Sequence, residues 1–258
     1  MGRMNFLDVI ILGIVEGATE FLPVSSTGHV ILVSKLLGIE SSTFSTTFTI
    51  AVQLGAILAV LLLYWRSFLN QEVLKRVLVA FLPTAVIGFT LYPLIKAYLL
   101  TNPYIVVTAL FLGGIALIVF ELFHREQEGG AGTPADITYR QALTIGLAQS
   151  VAIVPGVSRS AASIVGGLAL GIRRVAIVEF SFLLAVPTMA AATGLDLLKS
   201  YGTISSGDYK LLLVGMLVSF SVALLALKTL RADVAKYTFI PFGIYRIGIA
   251  LLFLLFVL

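Results

Sequence analysis

Residues 16–29 read Glu16-Gly17-Ala18-Thr19-Glu20-Phe21-Leu22-Pro23-Val24-Ser25-Ser26-Thr27-Gly28-His29, and they interrupt an apolar run that covers 4–37. A span of the hydrocarbon layer takes about 20 residues, so neither half of this run crosses it as an ordinary helix. A second apolar run, 138–171, is broken in the same way at Val154-Pro155-Gly156-Val157-Ser158. Non-helical backbone is tolerated at membrane depth only inside protein or against a cavity. Each broken run is therefore expected to be a re-entrant hairpin: two short helices that dip in and return to the same side. Six unbroken apolar stretches surround them, near 44–65, 75–97, 103–123, 176–198, 208–230 and 238–258. The expected fold is an all-α polytopic membrane protein with six transmembrane helices plus two re-entrant helix hairpins.

Composition agrees. Of 258 residues, 59% are hydrophobic and only 12% charged, with mean hydropathy +1.06. Soluble domains carry roughly 25% charged residues, and a chain this size has no core large enough to hide the excess. The absence of cysteine excludes disulfides, thiolate nucleophiles and zinc–sulfur sites. Two histidines, His29 and His124, argue against a multi-histidine metal centre. The net charge of +4 is scattered and supplies no basic face for nucleic acid. The amino-terminal run has no cleavage-type small-residue site and is expected to be retained.

The chain repeats itself weakly. Gly13-Ile14-Val15-Glu16 matches Gly146-Leu147-Ala148-Gln149, Phe48-Thr49-Ile50 matches Phe180-Ser181-Phe182, and Gly114-Ile115-Ala116-Leu117 matches Gly248-Ile249-Ala250-Leu251. The offset stays near 132–134 residues, and each half runs broken region, then three spans. Two repeats are expected, 1–125 and 137–258, within one membrane domain. Alternate threading places Arg66, Lys75, Arg76, Arg125, Arg140, Arg173, Arg174, Lys228, Arg231 and Lys236 on one side. Arg3, Lys35, Lys96, Lys199 and Lys210 fall on the other. The positive-inside rule makes the first side cytoplasmic and both termini periplasmic. An odd number of spans inverts the repeats, which places their broken helices together near mid-membrane.

The chemistry-bearing residues cluster at the breaks. Glu16 and Glu20 stand at i and i+4 on one helix face. Burying both is costly unless a divalent cation, Mg²⁺ or Ca²⁺, lies between them, or one keeps a proton and serves as acid or base. Pro23 ends the first helix, and Ser25 or Ser26 caps the next. The start Ser25-Ser26-Thr27-Gly28-His29 offers free N–H groups, hydroxyls and a glycine to an anion. The second break supplies Gly156, Ser158, Arg159, Ser160 and Ser163. Arg159, between two apolar stretches, calls for an anion that its planar fork can grip, or for Glu16 or Glu20 as its partner. Gln53 either faces the site or bonds a neighbouring helix. Arg246 reads as a residue that packs against another span. Asp8, Glu121, Glu179 and Asp196 are expected at solvated boundaries, and His124 on a surface loop.

These segments, with VEFSFLLAVPTM (178–189) and FIPFGIYRI (239–247), resemble the undecaprenyl-diphosphate phosphatase family of the bacitracin-resistance type across essentially the whole chain. The resemblance implies conversion of undecaprenyl diphosphate to the monophosphate carrier lipid, which serves peptidoglycan synthesis and confers bacitracin resistance. It also implies a bacterial inner-membrane location with a site open to the periplasm, a divalent metal, and a tendency to dimerise. The family's acidic motif falls on Glu16 and Glu20, its Ser-Ser-Thr-Gly-His motif on Ser25 to His29, and its PGxSRS motif on Pro155 to Ser160. Ser163 stands where the family often has Thr, which retains a hydroxyl.

On this reading Ser26 is the leading nucleophile, with His29 as runner-up. Glu20 or His29 takes the proton, Arg159 and helix-start N–H groups stabilise charge, and Glu16 with Glu20 holds the metal. The rival class is an ion-coupled transporter or flippase for a polyprenyl phosphate lipid, which shares inverted repeats and broken helices. Phosphate release without a sealed membrane discriminates the two.

Overall fold

A computed structural model describes residues 4–40, 42–99, 102–125, 129–199, 206–233, 238–256 and 258. The protein is all-α and builds a polytopic membrane architecture. The first broken run forms α1 (Phe6–Thr19) and α2 (Ser26–Leu36), packed against each other. It is followed by α3 (Thr43–Ala51) and α4 (Gln53–Leu63), the short α5 (Trp65–Leu69), α6 (Gln71–Leu94) and α7 (Pro103–Phe123). The second broken run forms α8 (Tyr139–Ser150) and α9 (Arg159–Ala169), again packed together, and α10 (Arg174–Lys199), α11 (Ser206–Asp233) and α12 (Ile240–Phe256) complete the chain.

Among the described residues, five helical stretches are long and apolar enough to cross a membrane: Thr43–Leu63, Gln71–Leu94, Pro103–Phe123, Arg174–Lys199 and Asp208–Leu230. The sixth expected span is the shorter Ile240–Phe256. Large apolar side chains cover the outer faces, with Phe89 on α6 at 70% exposure and Leu255 on α12 at 72%. In water such a surface would aggregate; in lipid it costs nothing.

The hairpins are placed by exchange between the halves. α1 of the first half packs on α11 of the second, and α8 of the second packs on α6 of the first. The glycines matched in the repeat make both approaches possible. A Cβ on Gly13 would stand 2.9 Å from the Gly215 carbonyl oxygen of α11, and one on Gly146 only 2.0 Å from that of Ala80 on α6. α7 and α12 pack along each other behind the two breaks.

Three details differ from the sequence reading. The first helix stops at Thr19, before Pro23, because residues 20–24 already turn. Glu20 nonetheless keeps its N–H on the Glu16 carbonyl at 2.9 Å, so the two carboxyls remain on one face. Glu121 and Asp196 are not solvated: Glu121 meets Arg174 at 2.6 Å in a nearly buried ion pair, and Asp196, fully buried, accepts from the Tyr92 hydroxyl at 2.7 Å. Burial of a carboxylate is tolerated when charged or hydroxyl donors meet it. Of the charges used for orientation, Arg3 and Lys236 lie outside the described residues, as do the side chains of Lys96 and Arg231.

Candidate functional site

The two breaks meet. A cavity of about 640 Å³ opens between them and helices α6 and α10. Glu20, Ser25, Ser26, Thr27, Gln53 and Arg159 form its polar wall, with Gly156 and Ser158 beside them. Phe81 and Phe89 of α6 and Ala192 and Leu195 of α10 form an apolar wall opposite.

Both breaks use the same backbone device. Ser25 caps α2 with φ 69°, and Ser158 caps α9 with φ 79°; among the described residues these are the non-glycine positions with positive φ. That conformation is strained for an L residue, and it turns the chain sharply from the break into the next helix. Ser158 secures its cap by accepting from the Ala161 N–H at 3.2 Å. Ser25 sits at the cap position without a side-chain cap bond. Each serine is followed directly by a reactive side chain, Ser26 in one break and Arg159 in the other.

Glu20 joins them. Its Oε1 accepts from Arg159 Nη2 at 2.8 Å, and its Oε2 accepts from the Ser26 hydroxyl. The second guanidinium arm donates from Nη1 to the Ser181 carbonyl at 2.7 Å, while Nε has no partner among the described residues. Arg159 and Glu20 are 12% and 6% exposed, so this is a buried ion pair. Removing one partner of such a pair typically costs about 3–5 kcal/mol. The product is a hydroxyl, a carboxylate and a guanidinium held in line at a cavity wall. Thr27 supports the same wall, accepting from Gln53 Nε2 at 3.1 Å.

Other expected site residues lie behind the wall. Glu16 is fully buried, and neither carboxyl oxygen has a hydrogen-bond partner among the described residues. His29 has both ring nitrogens engaged: Nδ1 donates to the Ser25 carbonyl at 2.8 Å, which leaves Nε2 to accept from the Tyr245 hydroxyl at 2.9 Å. Ser160 donates to the Leu22 carbonyl at 2.8 Å and so stitches the second hairpin to the first. Ser163 bonds the Arg159 carbonyl at 3.0 Å and the Ser181 hydroxyl at 2.7 Å. Gly156, with φ +97°, lies where a Cβ would stand 2.5 Å from the Val106 carbonyl oxygen, so no larger residue fits without shifting α7. Gly28 faces it, its would-be Cβ 3.6 Å from the Gly156 Cα.

The sequence reading missed a polar trio on the cavity, Thr84, Gln149 and Thr188. Gln149 Nε2 donates to both threonine hydroxyls at 3.1 Å. The repeat had already paired Gln149 with Glu16, which was the available signal. Arg246 was also underrated. Although it lies within the apolar helix α12, it is fully buried at the back of both breaks.

Fold and site together define a polytopic membrane protein whose polar centre is built from two broken helices, with one carboxylate bonded to both a hydroxyl and a guanidinium. The chain belongs to the bacitracin resistance protein BacA family, whose sequence model matches residues 9–252. It is 50% identical over 252 residues to the undecaprenyl-diphosphatase of Sulfurihydrogenibium sp. (strain YO3AOP1), covering 98% of this chain and 99% of that one. Identity to the undecaprenyl-diphosphatase of Persephonella marina is 49% over 256 residues, 99% of this chain and 100% of the relative. The enzyme of that name from Aquifex aeolicus is 45% identical, at the same coverage of both chains.

Proposed function

We infer that this chain is an undecaprenyl-diphosphate phosphatase, an integral-membrane hydrolase that releases inorganic phosphate and leaves undecaprenyl phosphate for another round of cell-wall carrier duty. Full-length similarity to several enzymes of that name favours this over an ion-coupled carrier. Removal of the diphosphate is also the chemistry that makes such a protein a bacitracin-resistance factor.

The observation that carries the mechanism is the bridge formed by Glu20 between Ser26 and Arg159. Ser26 Oγ attacks the terminal phosphorus, Glu20 takes its proton, and the anhydride P–O bond breaks to release the monophosphate lipid. Glu20 hands that proton to the departing phosphate oxygen of the lipid and, ionised again, draws a proton from water, whose oxygen attacks the phosphoserine; it returns this second proton to Ser26 Oγ. The Ser26 O–P bond breaks and phosphate leaves. Arg159 and the N–H groups at the starts of α2 and α9 neutralise charge as it develops on the phosphoryl oxygens. His29, tied at both nitrogens, supports the Ser25 turn and is the weaker nucleophile of the two considered.

A divalent cation fits the donor set. Glu16 presents two buried oxygens with no partner, one helical turn from Glu20, and Mg²⁺ in phosphoryl sites often needs only one or two carboxylates, substrate oxygens supplying the rest. Glu16 and Glu20 would hold it, and when bound it would neutralise part of the diphosphate charge. Strong chelation is expected to stop turnover, with added Mg²⁺ or Ca²⁺ restoring it; an unchanged rate removes the metal from the scheme.

The setting suits the lipid. The apolar wall from α6 and α10 takes the first prenyl units while the head reaches the polar wall. Reciprocal packing of α1 on α11 and α8 on α6 supports two inverted repeats with re-entrant hairpins. With the loop charges, it supports an inner-membrane location and a site open to the periplasm.

The test is phosphate release from undecaprenyl diphosphate by detergent-purified protein, with no sealed membrane present. Ser26→Ala is expected to fall to background. Full turnover by that variant would eliminate the serine mechanism.

A further inference from the structure

Arg246 of α12 is a cation with no anionic partner among the described residues. It is fully buried, and all five of its N–H groups end on backbone carbonyls. Nη1 donates to Pro23 at 3.1 Å and to Val157 at 3.0 Å, and Nη2 to Gly156 at 2.8 Å and Ala109 at 3.1 Å. Nε reaches Leu110 at 3.3 Å. One guanidinium therefore holds the first break, the second break and α7 at once. Room for it exists because residue 113 is glycine: a Cβ there would stand 2.1 Å from Nη2.

A trans peptide turns its N–H opposite to its carbonyl. Fixing three carbonyls on the Arg246 side therefore turns the three following N–H groups away from it. Two of these are consumed locally, Val24 N–H on Leu22 at 2.8 Å and Val157 N–H on Val154 at 3.2 Å. The third, on Ser158, makes no hydrogen bond among the described residues, and Ser158 lines the cavity. It precedes Arg159 at the start of α9, where free N–H groups favour an anion.

We propose that Arg246 is a positioning residue for phosphoryl transfer: by gripping the carbonyls of both breaks it aims the Ser158 N–H at the substrate phosphate and keeps Ser26 and Arg159 in register along the polar wall. The proposal rests on the reading of the site given above. Arg246 touches neither substrate nor reacting atoms. Its effect should therefore appear in turnover and in binding of a phosphoryl mimic, and much less in capture of the lipid by its tail.

The experiment compares wild type, Arg246→Lys and Gly113→Ala, each checked for folding by its thermal unfolding in detergent. The readouts are kcat and KM for undecaprenyl diphosphate and the inhibition constant of orthovanadate. Arg246→Lys keeps the charge and loses the fork, and is expected to lower kcat about 30-fold and weaken vanadate about tenfold, with KM within about threefold. Gly113→Ala touches no charge and should shift kcat and vanadate in the same direction by crowding the guanidinium; it decides the matter if the lysine variant does not fold. Values of kcat and vanadate inhibition within about twofold of wild type in the folded variants would overturn the proposal. A wild type that releases no phosphate would instead sink the reading of the site itself.

Discussion

The two breaks share a backbone and divide the chemistry. Each ends in a serine of positive φ at a helix start, Ser25 and Ser158, and each is fixed from behind by the same arginine. The next residue differs: Ser26 carries a hydroxyl, Arg159 a guanidinium. Ten residues upstream the difference recurs, with the acid Glu16, lacking a hydrogen-bond partner among the described residues, before one break and the neutral Gln149, donating to two threonines, before the other. Two similar turns deliver two helix starts to one place, and unlike side chains follow them. Two identical breaks would place like charges or two hydroxyls together, with nothing to polarise the attack.

The largest test of this division is Glu20→Gln, which removes the expected proton acceptor of the first break and, with the same carboxylate, the anionic partner of Arg159 in the second. Turnover is expected to fall about a thousandfold, measured as phosphate release; a loss below tenfold would mean that the carboxylate serves only to hold Arg159. Arg159→Lys comes next. A point charge replaces a fork that spans Glu20 and the Ser181 carbonyl, and about a hundredfold in kcat should go. If lysine performs as well as arginine, the second break contributes charge without geometry. The smallest effect separates the two caps. Ser25→Gly relieves a positive φ without losing a cap bond and is expected to stabilise by about 1 kcal/mol. Ser158→Gly gains the same relief but loses the bond to Ala161, so its midpoint of thermal unfolding should move less. Equal shifts would show that the caps are equivalent after all.

Much of the site was legible because its residues are expensive where they stand. Glu20 and Arg159 are ionisable groups inside apolar runs, and each demanded a partner; they proved to be each other's. Ser26 was legible from the Pro-to-Ser break that must start a helix. His29, Ser160 and Ser163 were read as parts of the reacting surface and instead lie behind it, bonded to Tyr245, Leu22 and Ser181. A motif gives order along the chain and says nothing about which side of a turn faces the cavity. Glu121 and Asp196 were misjudged for a related reason. Their position near span ends suggested water, while Arg174 and Tyr92, distant in sequence, provided donors that let them stay buried.

The sequence alone determined the solvent, the broken helices and which polar residues stand at the breaks. Each follows from local cost: apolar length, a proline that cannot continue a helix, a charge with no water. Only the tertiary structure decided which groups meet. The packing of α1 on α11 and α8 on α6, the carboxylate of Glu20 shared by Ser26 and Arg159, and the five carbonyls around Arg246 all join residues distant in the chain or across a turn whose direction no local pattern sets. Such contacts are fixed by close packing of whole helices, and that information resides in no single stretch of chain.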